Sequence, residues 1–114
     1  MNNADRKTST ENGILRQMFQ EAKMHGAELA IHEGYGGLYL SEFGGTEADF
    51  VEAARESDDV AVKIKTARGR VEWLAWLVWS NNPSELVSDY DVNLFDRFFP
   101  LTLAEIDKAD DVSF

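Results

Sequence analysis

The chain has 114 residues, no cysteine, 44% apolar residues and a formal net charge of −10. That length predicts one domain, able to bury about two-thirds of its unfolded surface without a covalent staple. The absence of cysteine excludes disulfides, thiolate metal sites and cysteine nucleophiles, and seven phenylalanines, three tyrosines and three tryptophans exclude a disordered composition.

Residues 1–8 are polar, lack an apolar leader core, and read as a flexible tail ahead of a single globular domain at 9–114. Ser9 or Thr10 caps an expected helix to about His25, with Gly26 as its stop. Ile14, Leu15, Met18, Phe19 and Ala22 form its apolar stripe, and Arg16, Gln17, Gln20, Glu21 and Lys23 are expected in water. Residues 27–33 and 38–43 then read as a hairpin around Gly34-Tyr35-Gly36-Gly37. Thr46 caps a second helix at about 47–56. Glu47 and Asp49 lie in its first turn, where the helix dipole favours acids, and Phe50, Ala53 and Ala54 line its inner side.

Residues 60–65 alternate cleanly, with Val60, Val62 and Ile64 inward and Lys63 and Lys65 outward. Ala67-Arg68-Gly69 turns this strand into 71–79, Val-Glu-Trp-Leu-Ala-Trp-Leu-Val-Trp, which reads as a second strand, the alternative being a helix apolar almost all round with only Glu72 in water. A period of two puts Trp73, Ala75, Leu77 and Trp79 on one face, and Leu74, Trp76 and Val78 on the other. Two apolar faces mark a central strand covered on both sides, or one with a sticky outer face. A tryptophan buries about 150–250 Å², so a small domain cannot leave all three in water. Trp73 and Trp79 are therefore assigned to the core, and Trp76 to a partner or a covering helix.

Asn81-Asn82-Pro83 breaks the strand, and 84–90 reads as a connector. A helix from about Val92 carries Leu94, Phe95, Phe98 and Phe99 and stops at Pro100. Thr102 and Glu105 form an expected capping box for a last piece at 103–109. The order α-β-β-α-β-β-α-α predicts an α+β fold: an antiparallel sheet of about four strands, in two hairpins, packed with helices.

The residues that carry chemistry do not assemble into a catalytic or metal motif. His25 and His32 stand alone, without ligands at metal spacing. Asp89-Tyr90-Asp91 and Asp107 with Asp110-Asp111 lack the ligand pattern of a calcium loop. Gly44-Gly45-Thr46 opens a helix, as at many anion sites, but Glu42, Glu47 and Asp49 around it repel phosphate. The reading is no enzyme, no metal and no cofactor. The apolar run 73–79 is too short to span a bilayer, so the expectation is a cytoplasmic protein without a membrane partner.

Charge is unevenly placed. Residues 42–59 hold seven acids and one base, and residues 60–70 hold four bases and no acid. An acidic chain is repelled by nucleic acid and steered toward basic partners. The expected function is a non-enzymatic interaction protein, monomer or homodimer, that binds and inhibits a basic, nucleic-acid-binding protein. The expected contacts are Glu42, Glu47, Asp49, Glu52, Glu56, Asp58 and Asp59, then Trp76, then Glu85, Asp89, Asp91 and Asp96. On the helix, Asp49, Glu52 and Glu56 share a face. The alternative is a nucleic-acid-binding module, with Lys63, Lys65, Arg68 and Arg70 as a basic hairpin near Tyr39 or Trp76.

The run Trp79-Ser80-Asn81-Asn82, followed by Leu86-Val87-Ser88-Asp89-Tyr90-Asp91-Val92-Asn93-Leu94, carries a family likeness. It resembles the C-terminal part of a group of small acidic proteins from phages, plasmids and conjugative elements, over about residues 45–100. The resemblance assigns no role to any residue. It implies the company of anti-CRISPR and anti-restriction inhibitors, some of which are similar to duplex DNA in charge layout.

Overall fold

A computed structural model describes residues 2–34, 37–80 and 82–111. Its elements are α1 (Asn3–Met24), β1 (Glu28–Glu33), α2 (Glu47–Ala54), β2 (Asp59–Lys65), β3 (Val71–Val78), β4 (Val87–Tyr90), α3 (Val92–Phe98) and α4 (Pro100–Asp110). A single 3₁₀ turn, Pro83–Glu85, joins β3 to β4. The strands form one sheet in the order β1-β2-β3-β4, with every neighbouring pair antiparallel. This is the expected α+β fold, a four-stranded antiparallel sheet with helices.

The hydrophobic stripe of α1 is the expected one: Ile14, Leu15, Met18, Phe19 and Ala22 are all buried. They join one core with Phe50 of α2, Phe95 of α3, Ala109 of α4, and the inward side chains Leu29, Ile31, Val60, Val62 and Ile64 of the sheet. At the end of α1, Gly26 takes φ +70. Its N–H donates to the Lys23 carbonyl and the next N–H, that of Ala27, reaches back to Ala22. This is the left-handed glycine stop that the sequence suggests.

The start of α1 differs from expectation. The helix begins at Asn3, with the Asn2 side chain accepting from the Asp5 N–H, so residues 3–8 are helical rather than a tail. A lysine–glutamate pair four apart, Lys7–Glu11 at 2.9 Å, supports these first turns. Glu21 also departs from the expected solvent face. It is 2% exposed, and its carboxylate accepts from Leu101 N–H, Thr102 N–H and the Thr102 hydroxyl. Glu21 thus caps α4, whose own N-cap residue Phe99 supplies no side-chain bond. The capping box of Thr102 with Glu105 does not form: α4 starts earlier, with Pro100 in its first turn, and Thr102 serves Glu21.

The first hairpin is present in reduced form. Residues 37–41 return beside β1 through Glu33 N–H to Leu38, Leu40 N–H to Ile31, and one bridge between His32 and Tyr39. The turn residues Tyr35 and Gly36, and Asn81 at the strand break, lie outside the described residues. Counting that bridge, the expected order α-β-β-α-β-β-α-α is present, with β4 added between β3 and the closing helices. β4 occupies most of the segment read as a connector, and stands at the sheet edge.

The strand 71–79 is β3, but its faces are not those of a simple alternation. Val62 pairs with Ala75 and Lys63 pairs with Trp73, so Leu74 is an extra residue in the ladder. Such a bulge shifts the phase of every side chain beyond it. Leu74, Ala75 and Leu77 are buried in the core. Trp73, in register with Lys63, and Trp76, in register with Ala61, share the other face. Trp73 is therefore half-buried outside the core, which corrects its expected placement. Trp79 packs against the core as expected, its indole N–H donating to the Ala54 carbonyl at 3.1 Å.

Candidate functional site

The acidic surface is built on α2. The Thr46 hydroxyl accepts from the Asp49 N–H at 3.1 Å and fixes where the helix starts. Burial of Phe50, Val51, Ala53 and Ala54 fixes which side faces in. Asp49 and Glu52 are left on the outer side, and Glu56 follows four residues after Glu52. With Glu42, Leu40 and Ser41 they line an open hollow of about 380 Å³. All four acids are exposed. Among the described residues, none of these four carboxylates makes a hydrogen bond or an ion pair.

Arg55 is the one base within 42–59, and it does not neutralise them. Its guanidinium lies 4.4 Å over the Trp79 ring and donates to Asn12 at 2.9 Å and Glu11 at 3.3 Å. Glu11 is 1% exposed and also holds Lys7. A buried carboxylate needs its partners, so Arg55 is committed to α1.

The remaining expected contacts are dispersed. Glu47 ties α2 to α1, with Arg16 at 3.6 Å and the Gln20 amide at 3.2 Å. Asp58 and Asp59 are exposed ahead of and at the start of β2. Asp89 sits on the sheet face with its register partner Trp76. Glu85 accepts from the Ser80 hydroxyl at 2.9 Å. Asp91 caps α3 by accepting from Leu94 N–H at 3.0 Å. Asp96 is exposed on α3. The structure thus brings together Glu42, Asp49, Glu52 and Glu56, and does not gather the other eight with them.

The face of the sheet turned from the core holds Trp73, Trp76, Lys63 and Lys65. His32 meets Tyr39 there edge to face, with ring centroids 4.8 Å apart. Trp76 leans over Gly34, where a Cβ would lie 2.9 Å from its ring. Lys63 and Lys65 stand on this face, whereas Arg68 and Arg70 lie at the β2–β3 turn, in a cleft with His25 and Arg97. The basic hairpin read from the sequence is therefore two separate basic groups. The gathering of His25 and Arg97 with Arg68 was not legible, because these residues stand far apart in the chain and share no motif.

Among the described residues, no three His, Asp or Glu side chains are grouped to hold a metal ion. No helix among them is long and apolar enough to cross a membrane. No family model, curated protein or solved structure matches the chain.

Proposed function

We propose that this protein is a non-enzymatic interaction module that binds a basic surface on another protein through Glu42, Asp49, Glu52 and Glu56. One observation carries the reading: these four exposed carboxylates surround one hollow, while the neighbouring base Arg55 is held elsewhere. Asp49 and Glu52, three apart on α2, repel each other by about 0.2–0.5 kcal/mol, and Glu56, just past the helix end, adds a third like charge to the same hollow. Folding alone gives no reason to collect them. A basic partner relieves the repulsion and is drawn in faster by the field. Where that basic surface serves to hold nucleic acid, occupying it excludes the nucleic acid, so inhibition follows from binding.

The experiment is affinity capture from the source cell by the wild-type chain and by the triple variant Asp49→Asn, Glu52→Gln, Glu56→Gln. The expected result is a small set of basic proteins retained by the wild type at low salt, lost by the variant and eluted by salt. Identical capture by both chains would assign these acids to solubility instead.

A further inference from the structure

The end of the sheet where β2 turns into β3 carries a second, oppositely charged site. Residues 66–70 close a tight loop: Gly69 N–H donates to the Thr66 carbonyl at 2.8 Å, and Thr66 N–H to the Arg70 carbonyl at 2.8 Å. Gly69 takes φ +83, as the last residue of such a three-residue connection requires. The Thr66 hydroxyl accepts from Arg70 N–H at 3.2 Å, which leaves its own proton free to donate. The loop sits against the end of α1, where a Cβ on Gly26 would lie 3.4 Å from that of Ala67. From α3, Arg97 lies 5.0 Å over the ring of Phe98, and that ring meets His25 at 5.2 Å.

These pieces enclose a cleft of about 290 Å³. Arg68, Arg70, Arg97 and His25 line it, with Leu94 and Phe98 as its apolar wall. Glu72 is the acid that lines it, 3.6 Å from Arg70. Among the described residues, neither Arg68 nor Arg97 has an ion-pair partner, in a chain whose net charge is −10. Helix dipoles account for His25 at the end of α1 and Arg97 in the last turn of α3. They do not account for Arg68 and Arg70, which belong to a turn. Three arginines lining one cleft suit an anionic ligand, because the planar fork of each guanidinium matches paired phosphate oxygens.

We infer that this cleft binds a small phosphate monoester, with Arg68, Arg70 and Arg97 on the phosphate, Thr66 donating a hydrogen bond, and Leu94 and Phe98 against the organic group. The volume lies just below the range of small-molecule pockets, which starts at about 300 Å³, and so fits a compact ligand. The site is separate from the acidic hollow and stands or falls without it.

The test is an NMR titration of the full chain with phenyl phosphate and with inorganic phosphate, against chloride at equal ionic strength. The side-chain Nε–H signals of Arg68, Arg70 and Arg97 and the amides of 66–70 report on the cleft. The expected result is saturable shifts confined to these signals, with phenyl phosphate binding more tightly than inorganic phosphate. Arg97→Gln and Arg68→Gln, each checked for a folded spectrum, should each weaken binding about tenfold, the loss of one charge-assisted hydrogen bond. Lys108→Gln, which removes an exposed base paired with Glu105, should leave it unchanged. Shifts that do not saturate, that chloride reproduces, or that survive both arginine variants would overturn the inference. So would a single-stranded oligonucleotide that saturates these signals while phenyl phosphate does not.

Discussion

Glu21 is a carboxylate placed in the interior by its neighbours' needs. Three donors at the start of α4 converge on it, and that helix has no side-chain cap of its own. Removing the acceptor strands those donors at a buried helix end. Glu21→Ala should therefore cost about 2–4 kcal/mol in urea unfolding; a loss below about 0.5 kcal/mol, the range of ordinary surface changes, would contradict the capping role. The tryptophans divide in the same way. Trp79 packs on the core, bonds to the Ala54 carbonyl and carries Arg55 on its ring. Trp79→Ala should cost about 3–5 kcal/mol. Trp73→Ala should cost clearly less, because Trp73 stands beside Lys63 on the outer face. Equal losses would mean that the outer face is as tightly packed as the core.

At the scale of elements, α2 and β3 show what a pattern conveys and what it does not. The cap at Thr46, the inner face at Phe50, and the acidic outer face of α2 were all legible, because a local bond and a helical period determine them. β2 was equally legible from its alternation. In β3 the existence of the strand was legible and its faces were not. One extra residue, Leu74, moves Trp73 out of the core, and no period marks a bulge set by pairing across strands. β4 is only four residues long and edge-placed, too short for a pattern to announce it. The start of α4 was missed for a related reason, since its cap comes from Glu21, eighty residues away. For α2, the charge pattern implies a stability prediction. The triple variant Asp49→Asn, Glu52→Gln, Glu56→Gln should melt at the wild-type temperature or above it, because it removes repulsions of about 0.2–0.5 kcal/mol each. A clear drop in a thermal melt would mean that these acids support the fold.

Across the whole molecule, charge is sorted by place. Among the described residues, acids without partners face the hollow beside α2, while arginines gather at the β2–β3 turn. The sum is strongly negative, so the field that a distant polyanion meets is repulsive. Duplex DNA should not be retained at about 150 mM salt, where the Debye length is about 8 Å; a micromolar shift in a gel would contradict a protein-binding role for the acidic surface.

The most direct measurement is the association rate of the captured partner with the wild-type chain and with the triple α2 variant, followed by stopped flow from low to high salt. Steering by uncompensated acids predicts fast association for the wild type that falls steeply with salt. For the variant it predicts slower association, by about tenfold at low salt, and a flatter salt dependence. Equal rates and equal salt slopes for the two chains would contradict the claim that Asp49, Glu52 and Glu56 form the binding surface.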